Sequence, residues 1–490
     1  MLFLDESLLL RSEQSPDDIA ITDTEITYSF KQFDVRVNRI AAGLQVLGLK
    51  PRDRLSILAD NSADYLATHY ACARTGVILH VLNVSLTPSE MAYAVNDAGS
   101  QTLFVDSAYT GEGLHQLLAK TPLLKQVIAL AEPCEDCHQT LEEVLSIADA
   151  PQKVSRAATD PVLLIYTSGT TGRPKGALQN HLGSMMADKL TGTAGEFSRN
   201  DVWLASMPFF HQAGLIRSRA IINAGGRNII LGRLSPAQLA SAIAKHRITV
   251  AMPMGRQLAT LLSAMPLPTS LRLLIGGGGI GAEAMSAIDK ACAQLGCSWI
   301  GVYGQTETHG TITVVDLETA KANPLTCGYP GKGVRLDIVD DRGASLPPDT
   351  TGEILVYGDM TGHYWNNDEA NTALYTSDGG LRTGDLGYLN VEGWLHLRGR
   401  KKELIKTGGE NVYPQEVERV LLEHPCVQDA AAIGLPDEDW GEAVVAIIVA
   451  SGETRPSLED FREFCRGELA GYKLPRRLCW VEELPRNHTG

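Results

Sequence analysis

Residues 166–176 of the 490-residue chain read YTSGTTGRPKG and gather phosphate-binding chemistry into eleven positions. Four hydroxyls (Thr167, Ser168, Thr170 and Thr171) alternate with three glycines (Gly169, Gly172 and Gly176), and Lys175 stands near the end. Glycines without Cβ let backbone N–H groups approach a ligand closely, and hydroxyls add donors that rotate to fit. A lysine supplies compact positive charge, so the stretch reads as a cradle for phosphate oxygens. The spacing G-x-x-x-x-G-K-[ST] is absent, which separates it from a Walker loop. Composition by itself fits a Ser/Thr/Gly surface loop equally well.

Further along stand other groups that could join such a cradle. His211 closes MPFFH at 207–211, where a lone histidine is more often packed than functional. Residues 271–281 (LRLLIGGGGIG) run from apolar residues into four glycines. That is either a tight turn or a pocket wall, where missing side chains leave room for an acyl or aryl group. The wall reading takes in Gly277, Gly278 and Gly279, with Gly301 from the apolar run at 299–302. Tyr303-Gly304-Gln305-Thr306-Glu307 ends in a carboxylate. Such a hard ligand suits Mg²⁺, which keeps several waters and bridges phosphate oxygens. Asp385, in Thr383-Gly384-Asp385, is a second carboxylate that can accept from two hydroxyls, or simply a turn aspartate. Residues 398–403 (RGRKKE) form a cationic cluster of the kind that usually faces solvent.

The surrounding patterns supply elements to hold these groups. Apolar residues 161–165 make a buried strand leading into the phosphate cradle. Between 16 and 105, helical and strand patterns alternate: helix 30–47 stopping at Gly48, strand 54–58, helix 63–75 ending at Gly76, strand 77–82, helix 89–97 and strand 102–105. That alternation implies a layered α/β unit. Beyond 402 the pattern changes to a small α+β unit. Pro414 opens an amphipathic helix, 444–450 reads as a strand, and Ser457 with Asp460 caps another helix.

Composition bounds the rest. A chain this long exceeds one ordinary core, and 44% hydrophobic with 21% charged residues describes a globular protein. With 43 basic against 58 acidic residues the net charge is −15, which argues against a general nucleic-acid surface while leaving room for local anion sites. No run approaches the roughly 18 apolar residues of a membrane span, and the first residues lack a basic leader, so a cytoplasmic protein is expected. Cys134, Cys137 and His138 match haem-attachment spacing by chance, and the nine cysteines are expected to be reduced thiols.

With these motifs in this order, the chain resembles the adenylate-forming superfamily of acyl-CoA synthetases, peptide-synthetase adenylation domains and beetle luciferases. The likeness covers essentially its whole length and departs at Ser85, where relatives usually carry arginine. It implies a multi-layer α/β N-terminal domain, residues 1–399, and a small α+β C-terminal domain, residues 400–490, joined by a hinge at Lys402. By resemblance the phosphate loop (Thr167, Ser168, Gly169, Thr170, Thr171, Gly172, Lys175) holds ATP. The Tyr303 ring flanks the adenine, its neighbours Gly304 and Gln305 belong to the same nucleotide site, Thr306 meets the α-phosphate, and Glu307 holds Mg²⁺. Asp385 takes the ribose and Arg400 the ribose or phosphate. The turn Gly408-Gly409 borders the thiol tunnel. Thr167, Lys175, His211, Glu307 and Lys402 are the expected catalytic set. His211 lines the carboxylate pocket where amino-acid-activating relatives carry aspartate, so the implied acid lacks an α-amino group.

The implied reaction is AMP-forming activation of a fatty or aryl acid to an acyl-adenylate, then transfer to coenzyme A. Loading of an acyl carrier protein is the alternative. The closing segment LPRNHTG matches the family's terminal motif up to its last residue, and the next position is the expected catalytic lysine. A nucleotide-binding protein impaired in adenylation is therefore also expected as a possibility of the sequence as written.

Overall fold

The computed structural model describes residues 3–24, 26–167, 174–232, 234–253, 256–263, 270–466 and 468–486. Among the described residues the strands form three sheets of 13, 8 and 5 strands.

The eight-stranded sheet forms from apolar runs buried on both faces, as parallel strands require. Arg54–Leu58 lies between Ile78–Val81 and Thr102–Val105, and Pro161–Thr167 pairs parallel with Ile78–Val81. Pro161–Thr167 then returns antiparallel as Lys175–Asn180, with Thr167 opposite Lys175. The helices between these strands match the sequence patterns. Helix Phe30–Val46 begins at a reciprocal cap between Ser29 and Gln32 and buries Phe33, Val37, Ile40 and Leu44. Helix Ala63–Thr75 ends on Gly76 at φ 73°, the left-handed stop that glycine takes without strain.

In the large sheet Val202–Leu204, Val250–Ala251, Leu273–Gly277 and Ser298–Gln305 run parallel. Antiparallel strands continue it through Gly310–Asp316 and Thr326–Pro330 to Leu395–Arg400 and Leu381–Leu389. One apolar cluster joins both large sheets. It contains Ile57, Leu79 and Leu163 from the first, Trp203, Leu273 and Ile300 from the second, and Phe33 and Tyr70 from the helices.

After Arg400, the last residue of the large sheet, the chain turns through Lys401, Lys402 and Glu403. Beyond it, Ile405, Val417, Val444 and Phe461 belong to a core in which, among the described residues, none precedes 405. Helix Pro414–Leu422 and strand Gly441–Ala450 lie where the sequence patterns put them, and Ser457 and Asp460 cap Leu458–Cys465 reciprocally.

One expectation is overturned. Cys134 and Cys137 form a disulfide instead of standing as reduced thiols. The backbone turn in which Cys137 N–H donates to Cys134 O brings their Cα atoms to 5.0 Å, within the span a disulfide bridges. The haem-like spacing is thereby used up, and His138 instead accepts from Val127 N–H through Nδ1. Among the described residues no helix is long and apolar enough to cross a membrane.

Candidate functional site

The C-terminal ends of strands from both large sheets meet at one cavity of about 570 Å³. Ligand sites gather at such ends in open α/β sheets. Thr167 and Lys175 enter it from the eight-stranded sheet; Gly277, Tyr303, Gly304, Gln305, Thr306 and Glu307 enter it from the thirteen-stranded one. His211 and Arg400 complete the set of sequence-expected residues on its wall. Ser168, Gly169, Thr170, Thr171 and Gly172 lie outside the described residues.

Glu307 is the centre of this arrangement. Its Oε1 accepts from Thr167 Oγ1 at 3.0 Å and from the Tyr364 hydroxyl at 3.0 Å. The main chain is pinned as well, since Gly362 N–H donates to Glu307 O at 2.8 Å. Burial, and then the Glu307 charge, raise the Tyr364 phenol well above its usual value, so it acts as a donor. The Lys175 ammonium sits 5.1 Å from the centre of the Tyr364 ring. Among the described residues Glu307 makes no ion pair, so a carboxylate held by two hydroxyls faces the cavity with its charge uncompensated. His309 braces the same turn: its Nε2 accepts from Asn180 N–H at 3.0 Å and its Nδ1 lies 2.8 Å from Met360 O. Burial pushes its imidazole down to about 4, consistent with a neutral ring donating through Nδ1.

On another wall stands Asp385, which is buried and set back from the cavity lining. Its Oδ2 accepts from the Tyr303 hydroxyl at 2.7 Å and from Gln305 Nε2 at 2.6 Å, and its Oδ1 pairs with Arg400 Nε at 3.0 Å. Tyr303, with its phenol raised by burial and then by Asp385, thus presents its ring edge-anchored beside the cavity. Gly304 packs so tightly that a Cβ would stand 1.7 Å from Gly310 O, which explains the glycine there without a ligand.

The third wall is largely apolar, with Met207, Ala213, Ile216, Met252 and Val302 around His211. His211 directly precedes helix Gln212–Ala224 and lies 4.7 Å, ring to ring, from Phe210. The four glycines divide. A Cβ at Gly277 would meet open space, as a pocket wall requires. At Gly278 it would stand 3.0 Å from Cys327 Cα, and at Gly279 3.0 Å from Cys327 Sγ. A Cβ at Gly301 would overlap Trp299 and Val315. None of these three lines the cavity; they let neighbouring chain segments close up behind it. Lys402, Gly408 and Gly409 also stand away from it. Gly408 and Gly409 form the turn between Ile405–Thr407 and Glu410–Val412, with Gly408 N–H donating to Trp440 O at 2.8 Å.

Tyr364 and Arg217 are among the wall residues that escape the motif reading. Tyr364 lies 57 positions after Glu307 and arrives only because His363–Tyr364 adds to the edge of Lys175–Asn180. No local spacing announces that pairing. Arg217 did have a signal: an arginine inside the apolar run LIRSRAII of a helix.

Residues 10–365 match the family described as AMP-binding enzyme, and residues 416–490 match the AMP-binding enzyme C-terminal domain. The chain is 31% identical over 487 residues to a 2-succinylbenzoate–CoA ligase of Bacillus cereus (strain ATCC 10987 / NRS 248), covering 98% of this chain and 95% of the relative. It is 32% identical to the fatty acid–[acyl-carrier-protein] ligase ScoC of Streptomyces coeruleorubidus, covering 98% and 92%. Among solved structures, o-succinylbenzoate CoA synthetase (MenE) from Bacillus subtilis superposes with a TM-score of 0.85 at 29% identity. That holds for its complex with the acyl-adenylate OSB-AMP, covering 98% of this chain and 95% of that one, and for its complex with ATP and magnesium ion, covering 98% and 96%.

Proposed function

The chain belongs to the AMP-binding enzyme family, and from that premise we propose how its residues share the work of joining an acid to a thiol. It is an AMP-forming ligase. A carboxylate oxygen attacks the α-phosphate of ATP and pyrophosphate leaves. The thiol sulfur then attacks the activated carbonyl and AMP leaves. No covalent bond to the protein is needed, so rate comes from positioning and from neutralising charge.

The observation that carries this division is the convergence of Thr167, Lys175, Glu307, Tyr303 and His211 on one cavity. Lys175 offsets phosphate charge. Thr167 and Tyr364 orient the Glu307 carboxylate. Glu307 fits a hard divalent cation, since among the described residues its carboxylate is held by hydroxyls and no cluster of three or more His, Cys, Asp or Glu competes. Glu307 would hold Mg²⁺, which when bound would supply positive charge against the triphosphate. Tyr303 stacks on the adenine, while Asp385 and Arg400 exchange part of their mutual contact for the ribose. His211 and Gly277 face the acid, which lacks an α-ammonium because an imidazole stands where amino-acid-activating relatives carry the aspartate that receives one.

The residues beyond the turn at 401–403 act as a separate unit, with Lys402 as the pivot that brings Gly408 and Gly409 to the thiol. Coenzyme A is the proposed acceptor, after the Bacillus ligases; the ScoC relative favours a carrier protein as the second reading. Acid-dependent exchange of labelled pyrophosphate into ATP tests the first step. Mass detection of acyl-CoA against acyl-carrier product separates the two acceptors. A full chain that exchanges no pyrophosphate with any aliphatic or aryl acid refutes the reading.

A further inference from the structure

Arg217 lines the cavity while its residue is only 3% exposed. Its Nη1 donates to Ala213 O, a carbonyl of its own helix, at 2.9 Å. Among the described residues its Nε has no hydrogen-bond partner and no carboxylate pairs with it. Burial alone pushes the guanidinium down to about 10, with no nearby acid to oppose the effect. Two positions on, Arg219 is equally buried but pairs with Asp188 at 2.8 Å. The same helix therefore satisfies one arginine and leaves the other open.

A buried cation without a partner is costly, so its retention at a cavity wall calls for an anion delivered from outside the chain. Met207, Ala213, Ile216 and Met252 line the same cavity with apolar side chains. Arg217 lies six residues beyond His211, which is about 9 Å of helix rise, far enough for the two to meet different ends of one ligand. The Arg fork matches a carboxylate in two-point geometry.

Resting on the ligase reading above, we propose that Arg217 binds a second carboxylate on the acid substrate, making the enzyme selective for dicarboxylic over monocarboxylic acids. The activated carboxylate lies by Lys175 and His211; the distal one remains ionised on Arg217 and is not consumed.

The test compares matched acids on the full chain: 2-succinylbenzoate against 4-oxo-4-phenylbutanoate, and adipate against hexanoate and adipate monomethyl ester. Binding is read by calorimetry and turnover by pyrophosphate exchange. In wild type at least one diacid should exceed its monoacid by about 10²-fold in affinity, the scale of a charged hydrogen bond. Arg217→Met should bring that ratio within about threefold of unity, and Arg217→Lys should leave it between the two. A wild type that binds the distal ester or the monoacids as tightly as the diacids overturns the proposal, whatever the variants do. So does a ratio that Arg217→Met leaves unchanged, or an Arg217→Met variant that loses ATP affinity as much as diacid affinity, since the guanidinium would then serve the nucleotide. Diacid-selective binding without any exchange supports the Arg217 assignment and refutes the ligase reading; exchange without diacid preference does the reverse.

Discussion

Helix Gln212–Ala224 separates two charged regions that follow opposite rules. Behind it, Arg219 pairs with Asp188 at 2.8 Å and meets His69 Nε2 at 3.2 Å, in a layer that is buried throughout. In front of it, the cavity holds Glu307 and Arg217, two charges without an ionic partner among the described residues. The first region closes its electrostatics within the fold and supports the helix. The second keeps charge open at a cost in stability and so can respond to a ligand, the trade expected of functional sites. Sequence distance does not separate them: Arg217 and Arg219 are neighbours but one. Helical rotation of about 100° per residue turns one to the cavity and the other to the layer.

Breaking the closed region should have the largest effect. Asp188→Ala leaves the Arg219 guanidinium buried without its carboxylate, and should cost about 3–5 kcal/mol in urea unfolding. A loss below about 1 kcal/mol would mean the layer is not electrostatically closed. Breaking the open region should cost activity instead. Glu307→Gln should lose 10²-fold or more in pyrophosphate exchange, roughly 3 kcal/mol of transition-state stabilisation, with little change in melting temperature. A variant within a few-fold of wild type would remove Glu307 from the mechanism.

Acid separates the regions further. Burial lowers His309 to about 4, against about 6.5 for an unfolded chain. The folded state therefore binds fewer protons than the unfolded one between those values. This contribution is complete above pH 6.5 and falls as pH drops toward 4, by about 2 kcal/mol at pH 5. His69, lowered by burial and by Arg219, should act in the same direction. Unfolding at pH 7 and pH 5 checks it; equal stabilities would show these rings protonated in the native state. The smallest effect is expected on the open side. Arg217→Met removes an uncompensated buried charge and should leave unfolding free energy within about 1 kcal/mol of wild type or raise it. A loss like that of Asp188→Ala would erase the contrast between the two arginines.

Local chemistry made much of this molecule legible from the chain alone. Strand Arg54–Leu58 and helix Ala63–Thr75 follow from unbroken apolar runs, helical periodicity and a glycine stop, all within a few neighbours. Thr167, Lys175, Tyr303 and Glu307 could be named because each sits in a short motif whose residue types match one ligand chemistry. The glycine run was half legible: Gly277 opens on the cavity, whereas Gly278 and Gly279 make room for Cys327, a contact between segments about 50 residues apart. The Cys134–Cys137 disulfide depends on a turn that brings two Cα atoms to 5.0 Å, which composition could not reveal.

By itself the sequence determined the elements, the family and the side chains able to handle phosphate, because periodicity, capping and motif spacing act over a few residues. Tertiary structure alone decided which charges are paired. Tyr364 reaches Glu307 by edge pairing of strands remote in sequence, and Asp188 reaches Arg219 from another helix. Arg217 stays without an ionic partner because, among the described residues, no carboxylate packs against it. Ionic compensation depends on distances of a few ångströms between segments far apart along the chain, and only the packed fold sets those distances.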